Sequence, residues 1–144
     1  MFDILNYLVY CCKNKYMESL SPNLFVRDIR ATLAFYQILG FTLTMSVPGE
    51  DEGQPIWAMV TNGKVTFMFQ TFESLGDKLP RISRTDGGSL LFYINVTHIR
   101  DFFDNIREKV PVLHGLEKTF YGATEFSIQD NNNYVLTFAE HEGS

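Results

Sequence analysis

The sequence runs through one pattern twice, and this duplication constrains the fold more than any other feature. A shift of about 70 residues lays Val26 on Val96, Ile29 on Ile99, Arg30 on Arg100, Asn62 on Asn132 and Val65 on Val135. A period this long, present only twice, excludes a solenoid and indicates a duplicated module. In the first copy, residues 20–26 form a short extended run with Pro22 near its start, and Asp28 then caps a helix. Ile29, Leu33, Tyr36 and Ile38 or Leu39 fall near helical spacing, and Gly40 is the stop. Three β-rich runs follow at 41–47, 56–61 and 65–72, with Asn62-Gly63 as the hairpin signal between the last two. The second copy repeats the order. It has a strand at 89–96, an amphipathic helix at 98–109 through Ile99, Phe102, Phe103 and Ile106, and strands at 112–120, 124–128 and 134–140.

The expected fold class is therefore α+β, with two βαβββ modules at about 19–72 and 89–141 joined by a polar, glycine-containing linker at 73–88. A four-stranded sheet with one helix on its outer side leaves a concave inner face. Two such units sharing a core form a partial barrel around a cavity. Residues 17–144 read as this single domain, and residues 1–16 as an N-terminal extension or as sequence upstream of a true start at Met17. With 144 residues, 45% hydrophobic and 20% charged, the chain has enough apolar content for one packed core.

The formal charge of −5, with no Lys/Arg cluster, argues against a nucleic-acid partner and favours neutral or cationic ones. The apolar stretch 2–12 is shorter than the roughly 20 residues needed to cross a bilayer, so no membrane partner is expected. Cys11 and Cys12 are adjacent and form no disulfide framework, which points to a reducing, cytoplasmic setting.

Strand alternation places Phe25, Phe67, Phe69 and Tyr93 on the concave face, with Asn23 and Asn95 beside them, and puts Trp57 and Met59 on one side of their strand. Singly, each reads as core; together, on one concave face, they form a surface that can stack on planar rings and attract cations. The histidines His98, His114 and His141 fall at a helix start, a strand flank and the tail, a spread that does not indicate one shared metal site. The run Glu50-Asp51-Glu52 reads as a solvated loop, or as an attractor for a cationic ligand at a cavity mouth. No phosphate loop, nucleophile elbow or Cys/His nucleophile pair is present.

The segment 21–41, SPNLFVRDIRATLAFYQILGF, resembles the opening of the vicinal oxygen chelate superfamily, which includes glyoxalase I, extradiol dioxygenases, fosfomycin-resistance enzymes and bleomycin-resistance proteins. Pro22-Asn23-Leu24, Arg27-Asp28, Ala34-Phe35-Tyr36 and Leu39-Gly40-Phe41 are most similar to the bleomycin-resistance branch. The likeness extends to Trp57 before Gly63 and to Tyr121-Gly122, Glu125-Phe126 and Asp130. It implies that four positions, Ser21, Phe67, Leu91 and Thr137, stand where metal-dependent members carry His, Glu or Gln. None of the four supplies an imidazole, carboxylate or thiolate, so the resemblance implies no metal and no cofactor. It implies instead a homodimer that sequesters a small-molecule ligand, aromatic or cationic, without bond making. The crevice would be lined by Trp57, Phe67, Phe69, Tyr93, Tyr121 and Asn95. Two alternatives stand beside it. One is a glyoxalase-like lyase or dioxygenase-type enzyme with an atypical site, drawing acid/base chemistry from Tyr93, Tyr121 or Glu125. The other is a non-catalytic structural or regulatory module whose barrel is filled by its own side chains.

Overall fold

A computed structural model describes residues 16–50 and 53–143. The expectations for residues 1–15, including Cys11 and Cys12, and for Asp51 and Glu52 lie outside the described residues. The order of elements is β1 (Asn23–Val26), α1 (Ile29–Ile38), β2 (Thr42–Pro48), β3 (Pro55–Asn62), β4 (Val65–Thr71), α2 (Phe72–Leu75), β5 (Leu91–Asn95), α3 (Ile99–Ile106), β6 (Val112–Lys118), β7 (Ala123–Gln129) and β8 (Val135–His141). Two four-stranded sheets form, in the orders β1-β4-β3-β2 and β5-β8-β7-β6. In each, the first strand pairs in parallel with the fourth, and the remaining pairs are antiparallel. The βαβββ duplication is thus realised, with two sheets that do not close into a continuous barrel.

Local chemistry explains the helix ends. Asp28 accepts the Ala31 N–H at 3.0 Å as the cap of α1, and Gly40 follows the helix at φ 89°, a left-handed conformation that suits glycine. The second helix starts differently. His98 sits at φ 54° with no side-chain capping bond, and the Ile99 N–H donates instead to Glu140 Oε2 on β8 at 2.8 Å. A carboxylate from another strand therefore does the work of a local cap, at the end of the helix where negative charge is favoured. The β3–β4 hairpin closes between Asn62 and Val65, so the loop pair is Gly63-Lys64, one residue later than expected, with Gly63 at φ 57°.

One hydrophobic core runs through both modules. Tyr36 lies at its centre, with ring centroids 4.7 Å from Phe69 and 5.5 Å from Phe67 and Phe41. Phe67 in turn meets Phe92 of the second module edge to face at 5.1 Å. Phe67 and Phe69 are therefore on the helix side of the first sheet, 2% and 0% exposed, which corrects their expected position on the concave face. The cause is parity. The β3–β4 loop has two residues while its counterpart, 130–134, has five, an odd difference that turns β4 and β8 over relative to a strict 70-residue shift. Leu136 and Phe138 carry the helix-side role in β8, whereas Thr137 shares the other face with Tyr93.

Polar bonds lock the modules together. Tyr36 donates to Asp130 Oδ2 at 2.8 Å, and Asp130 Oδ1 accepts the Asn132 and Tyr134 N–H groups, each at 2.8 Å. Asn132 Nδ2 donates to Thr32 Oγ1 at 3.0 Å, and the Tyr134 hydroxyl donates to the Phe25 carbonyl at 3.1 Å. The stretch between modules is also organised, more than a plain linker requires. Its Arg84 donates to the carbonyls of Gly76, Lys78, Leu79 and Ile82, and Arg27 pairs with Asp86 at 3.0 Å. Gly87 lies so close to the 130–134 loop that a Cβ there would stand 2.7 Å from the Asn133 carbonyl oxygen.

Phe69→Ala should lower the unfolding free energy by about 3–5 kcal/mol, measured by urea denaturation. Met68→Ala, one residue along and on the opposite face, should cost a small fraction of that. Similar costs for the two would contradict the assigned faces. Tyr36→Phe should cost about 1–3 kcal/mol, because Asp130 Oδ2 loses its donor in a buried setting. Burial raises the Asp130 carboxyl above 3.8, against the lowering effect of its hydrogen bonds. A folded value above the unfolded one means that Asp130 favours folding most below the ordinary carboxylate range. That contribution falls as pH rises through the folded value, so the stability difference between wild type and Asp130→Asn should shrink over that window in pH-dependent melts.

Candidate ligand-binding faces

Each sheet has one face packed under a helix and one face left open, and register identifies the open side chains. On the first sheet, one row across the strands is Val47, Trp57, Gln70 and Phe25, and the next is Met45, Met59, Met68 and Asn23. The Trp57–Met59 side and the Phe25 and Asn23 placements agree with the expected alternation. Met45 of β2 joins them, as do Met68 and Gln70 of β4, which a strict 70-residue shift turns to the wrong face. This face is largely apolar and methionine-rich, with Met45 56% exposed. Flexible, polarisable thioethers adapt to varied apolar guests. Asn23 Nδ2 donates to Gln70 Oε1 at 3.0 Å, while Asn23 Oδ1 is buried without a partner, an unused acceptor beside the face.

The open face of the second sheet is polar. Its rows are Tyr93, Thr137, Ser127 and His114, then Asn95, Ala139, Glu125 and Glu117, with His141 paired to Ala123 at the end. Tyr93 and Tyr121 both donate to Glu125 Oε1, at 2.5 and 2.6 Å. The Tyr93 hydroxyl also lies 3.2 Å from His141 Nε2. Hydrogen bonding to Glu125 pushes the Tyr93 phenol up to about 12 and raises that of Tyr121 as well. Both phenols therefore remain neutral donors at physiological pH, and both donate to the same oxygen of Glu125. Tyr93 is 45% exposed and Tyr121 is also exposed, so the cluster is open to solvent. Thr137 bonds to Ser127 at 2.8 Å beside it.

Of the residues singled out from sequence, Tyr93, Tyr121 and Asn95 come together on this second face and Trp57 lies on the first, while Phe67 and Phe69 belong to the core. The Tyr93–Glu125 contact joins residues distant in sequence, and pairing of β5 and β7 across β8 was the signal that could have found it. At the four metal-ligand positions, Leu91 and Thr137 lie on strands facing the open side, Ser21 precedes β1, and Phe67 is in the core. Correcting the parity of β4 offers Thr66, Met68 or Gln70 in place of Phe67. This set still lacks the imidazole, carboxylate or thiolate groups that such a metal requires, so the residues present do not fit one. Among the described residues, no three His, Cys, Asp or Glu side chains converge into a metal-holding group. The three histidines are dispersed. His98 begins α3, His114 Nδ1 pairs with Glu117 at 3.4 Å, and His141 stands beside Tyr93.

No helix among the described residues is long and apolar enough to cross a membrane. No curated protein matches the chain at a significant level. Solved structures are similar over nearly the whole length. A protein of unknown function from Agrobacterium tumefaciens is 25% identical with a TM-score of 0.68, over 90% of this chain and 98% of that one. A glyoxalase/bleomycin resistance protein/dioxygenase family enzyme from Burkholderia phytofirmans is 24% identical with a TM-score of 0.66, over 84% and 96%. A bleomycin-binding protein in complex with bleomycin is 20% identical with a TM-score of 0.61, over 88% and 100%. The family model for the glyoxalase/bleomycin resistance protein/dioxygenase superfamily matches residues 16–138. Duplicated βαβββ sheets, the order of the sequence motifs and this match agree, and the chain belongs to the glyoxalase/bleomycin resistance protein/dioxygenase superfamily.

Proposed function

We propose that this protein binds a small aromatic or cationic molecule across its open sheet faces and holds it without making or breaking bonds. The observation that carries the reading is the pairing of chemistries on those faces. Trp57 and the methionines provide a stacking, apolar wall, while Glu125, flanked by Tyr93 and Tyr121, provides a negative, hydrogen-bonding one. Such a division suits a planar guest that carries positive charge, and the net charge of −5 favours its approach. The solved relative that binds bleomycin lends the reading support at the level of fold.

The same faces favour a homodimer. Met45, Val47, Leu91 and Tyr93 are large, partly apolar side chains left exposed on them. Met45 and Val47 extend the apolar face of the first sheet around Trp57, and apolar surface of this kind is ordinarily covered by a partner or a ligand. A second copy that set a Trp57 face opposite a Glu125 face would enclose the guest between unlike walls. The chain has a single tryptophan, so its fluorescence reports on the first face alone.

Titration with bleomycin and a panel of planar cations should change Trp57 fluorescence saturably, and Tyr93→Leu should weaken the best binder about tenfold. Absence of any response across the panel would sink the binding reading. Dialysis against a strong chelator should leave the affinity unchanged. Loss of binding, restored by one equivalent of a transition metal, would show that the site works through a metal.

A further inference from the structure

The modules meet at two related junctions, and only one of them is filled. At the first, loop 130–134 bridges the gap: Asp130 reaches Tyr36, Asn132 reaches Thr32 and Tyr134 reaches the Phe25 carbonyl. At the second, the corresponding loop is Gly63-Lys64 alone, two residues against five. In the duplicated frame, Tyr36 and Thr32 correspond to Ile106 and Phe102, which offer no hydroxyl to a loop. Asn62, the counterpart of Asn132, turns back to its own module and donates to the Leu39 carbonyl at 3.4 Å. What remains at this junction is a cleft of about 800 Å³ lined by Phe41, Lys64, Ile94, Phe102 and Phe138 among others. Its volume is in the range of small-molecule sites.

The cleft also reaches the polar open face. Asn95, Ala139 and His141 line it, and Ala139 pairs directly with Glu125 across β7 and β8. His141, which lines the cleft, has its Nε2 3.2 Å from the Tyr93 hydroxyl, and that hydroxyl donates to Glu125, so the cleft and the carboxylate lie within the span of one small ligand. Both phenols donate to Glu125 Oε1, which leaves the lone pairs of Oε2 for a guest. At the hairpin side, Lys64 opposes a second positive charge.

We propose that this cleft between the modules is a binding compartment for the apolar end of an organic monocation whose charged end is held by Glu125 between Tyr93 and Tyr121. The inference rests on the small-molecule reading above and adds to it a second compartment, made by the short β3–β4 hairpin, and a ligand class. The guest is an ammonium or similar cation with one aryl or alkyl tail, longer than the open face alone would need.

Isothermal titration of the full chain with tetramethylammonium, benzyltrimethylammonium, (4-phenylbutyl)trimethylammonium, the neutral 4-phenylbutanol and bis-quaternary decamethonium tests it. Affinity should rise at least about tenfold from tetramethylammonium to the phenylbutyl compound, and the bis-quaternary compound should bind more weakly than the latter. Glu125→Gln should weaken each cation about tenfold while leaving the neutral alcohol unchanged. Thr97→Trp, at an exposed position lining the cleft, and Val96→Phe should remove the gain from the tail without affecting tetramethylammonium. Thermal melts of both variants establish that they are folded. A tail that adds nothing in wild type, or a gain that survives in both folded variants, would overturn the compartment while leaving ligand binding on the open faces in place. If no member of this series and no planar compound binds, the small-molecule reading itself falls, and the compartment with it.

Discussion

The contact on which the assembly of the two modules depends is the buried hydrogen bond from Tyr36 to Asp130. Tyr36 sits beneath the first sheet, where its ring organises Phe41, Phe67 and Phe69, and its hydroxyl has to find an acceptor in that apolar setting. Asp130 supplies one from the second module and is itself held by two backbone N–H groups of its own loop. Each group would be costly to bury without the other. The pair therefore sets how the modules meet as well as holding them there.

Several features follow from that junction. Because the five-residue loop must reach α1, Asn132 and Tyr134 come with it, and Gly87 has to be a glycine to let the loop lie close. The opposite junction has no such loop and stays open. Helices cover the outer side of each sheet, which leaves the inner sides to solvent or to a second chain. On those sides the two copies of the module have diverged chemically. One presents tryptophan and methionine, the other a carboxylate with two phenols, although both arise from the same succession of strands.

Much of the architecture could be read directly. The repeat, the Asp28 cap, the Gly40 stop and all eight strands lie within a few residues of where periodicity and turn chemistry put them. Alternation also placed Trp57, Met59 and Tyr93 correctly. It failed at Phe67 and Phe69, where only loop length decides which way the strand faces. The short α2 helix after β4 was read as strand end and linker, since four residues are too few to show a period. The start of α3 gave no local capping signal because its partner, Glu140, arrives from β8.

What the sequence alone determined is the duplicated βαβββ plan and, by the order of its motifs, the superfamily. These depend on residue identity and short-range spacing. Which aromatic residues line an open face and which fill the core was settled in three dimensions, because a single odd change in loop length inverts a strand without altering its composition. The meeting of Tyr93, Tyr121 and Glu125, and the cleft beside them, belong to tertiary structure for the same reason: strand pairing across β8 brings together groups that no local pattern connects.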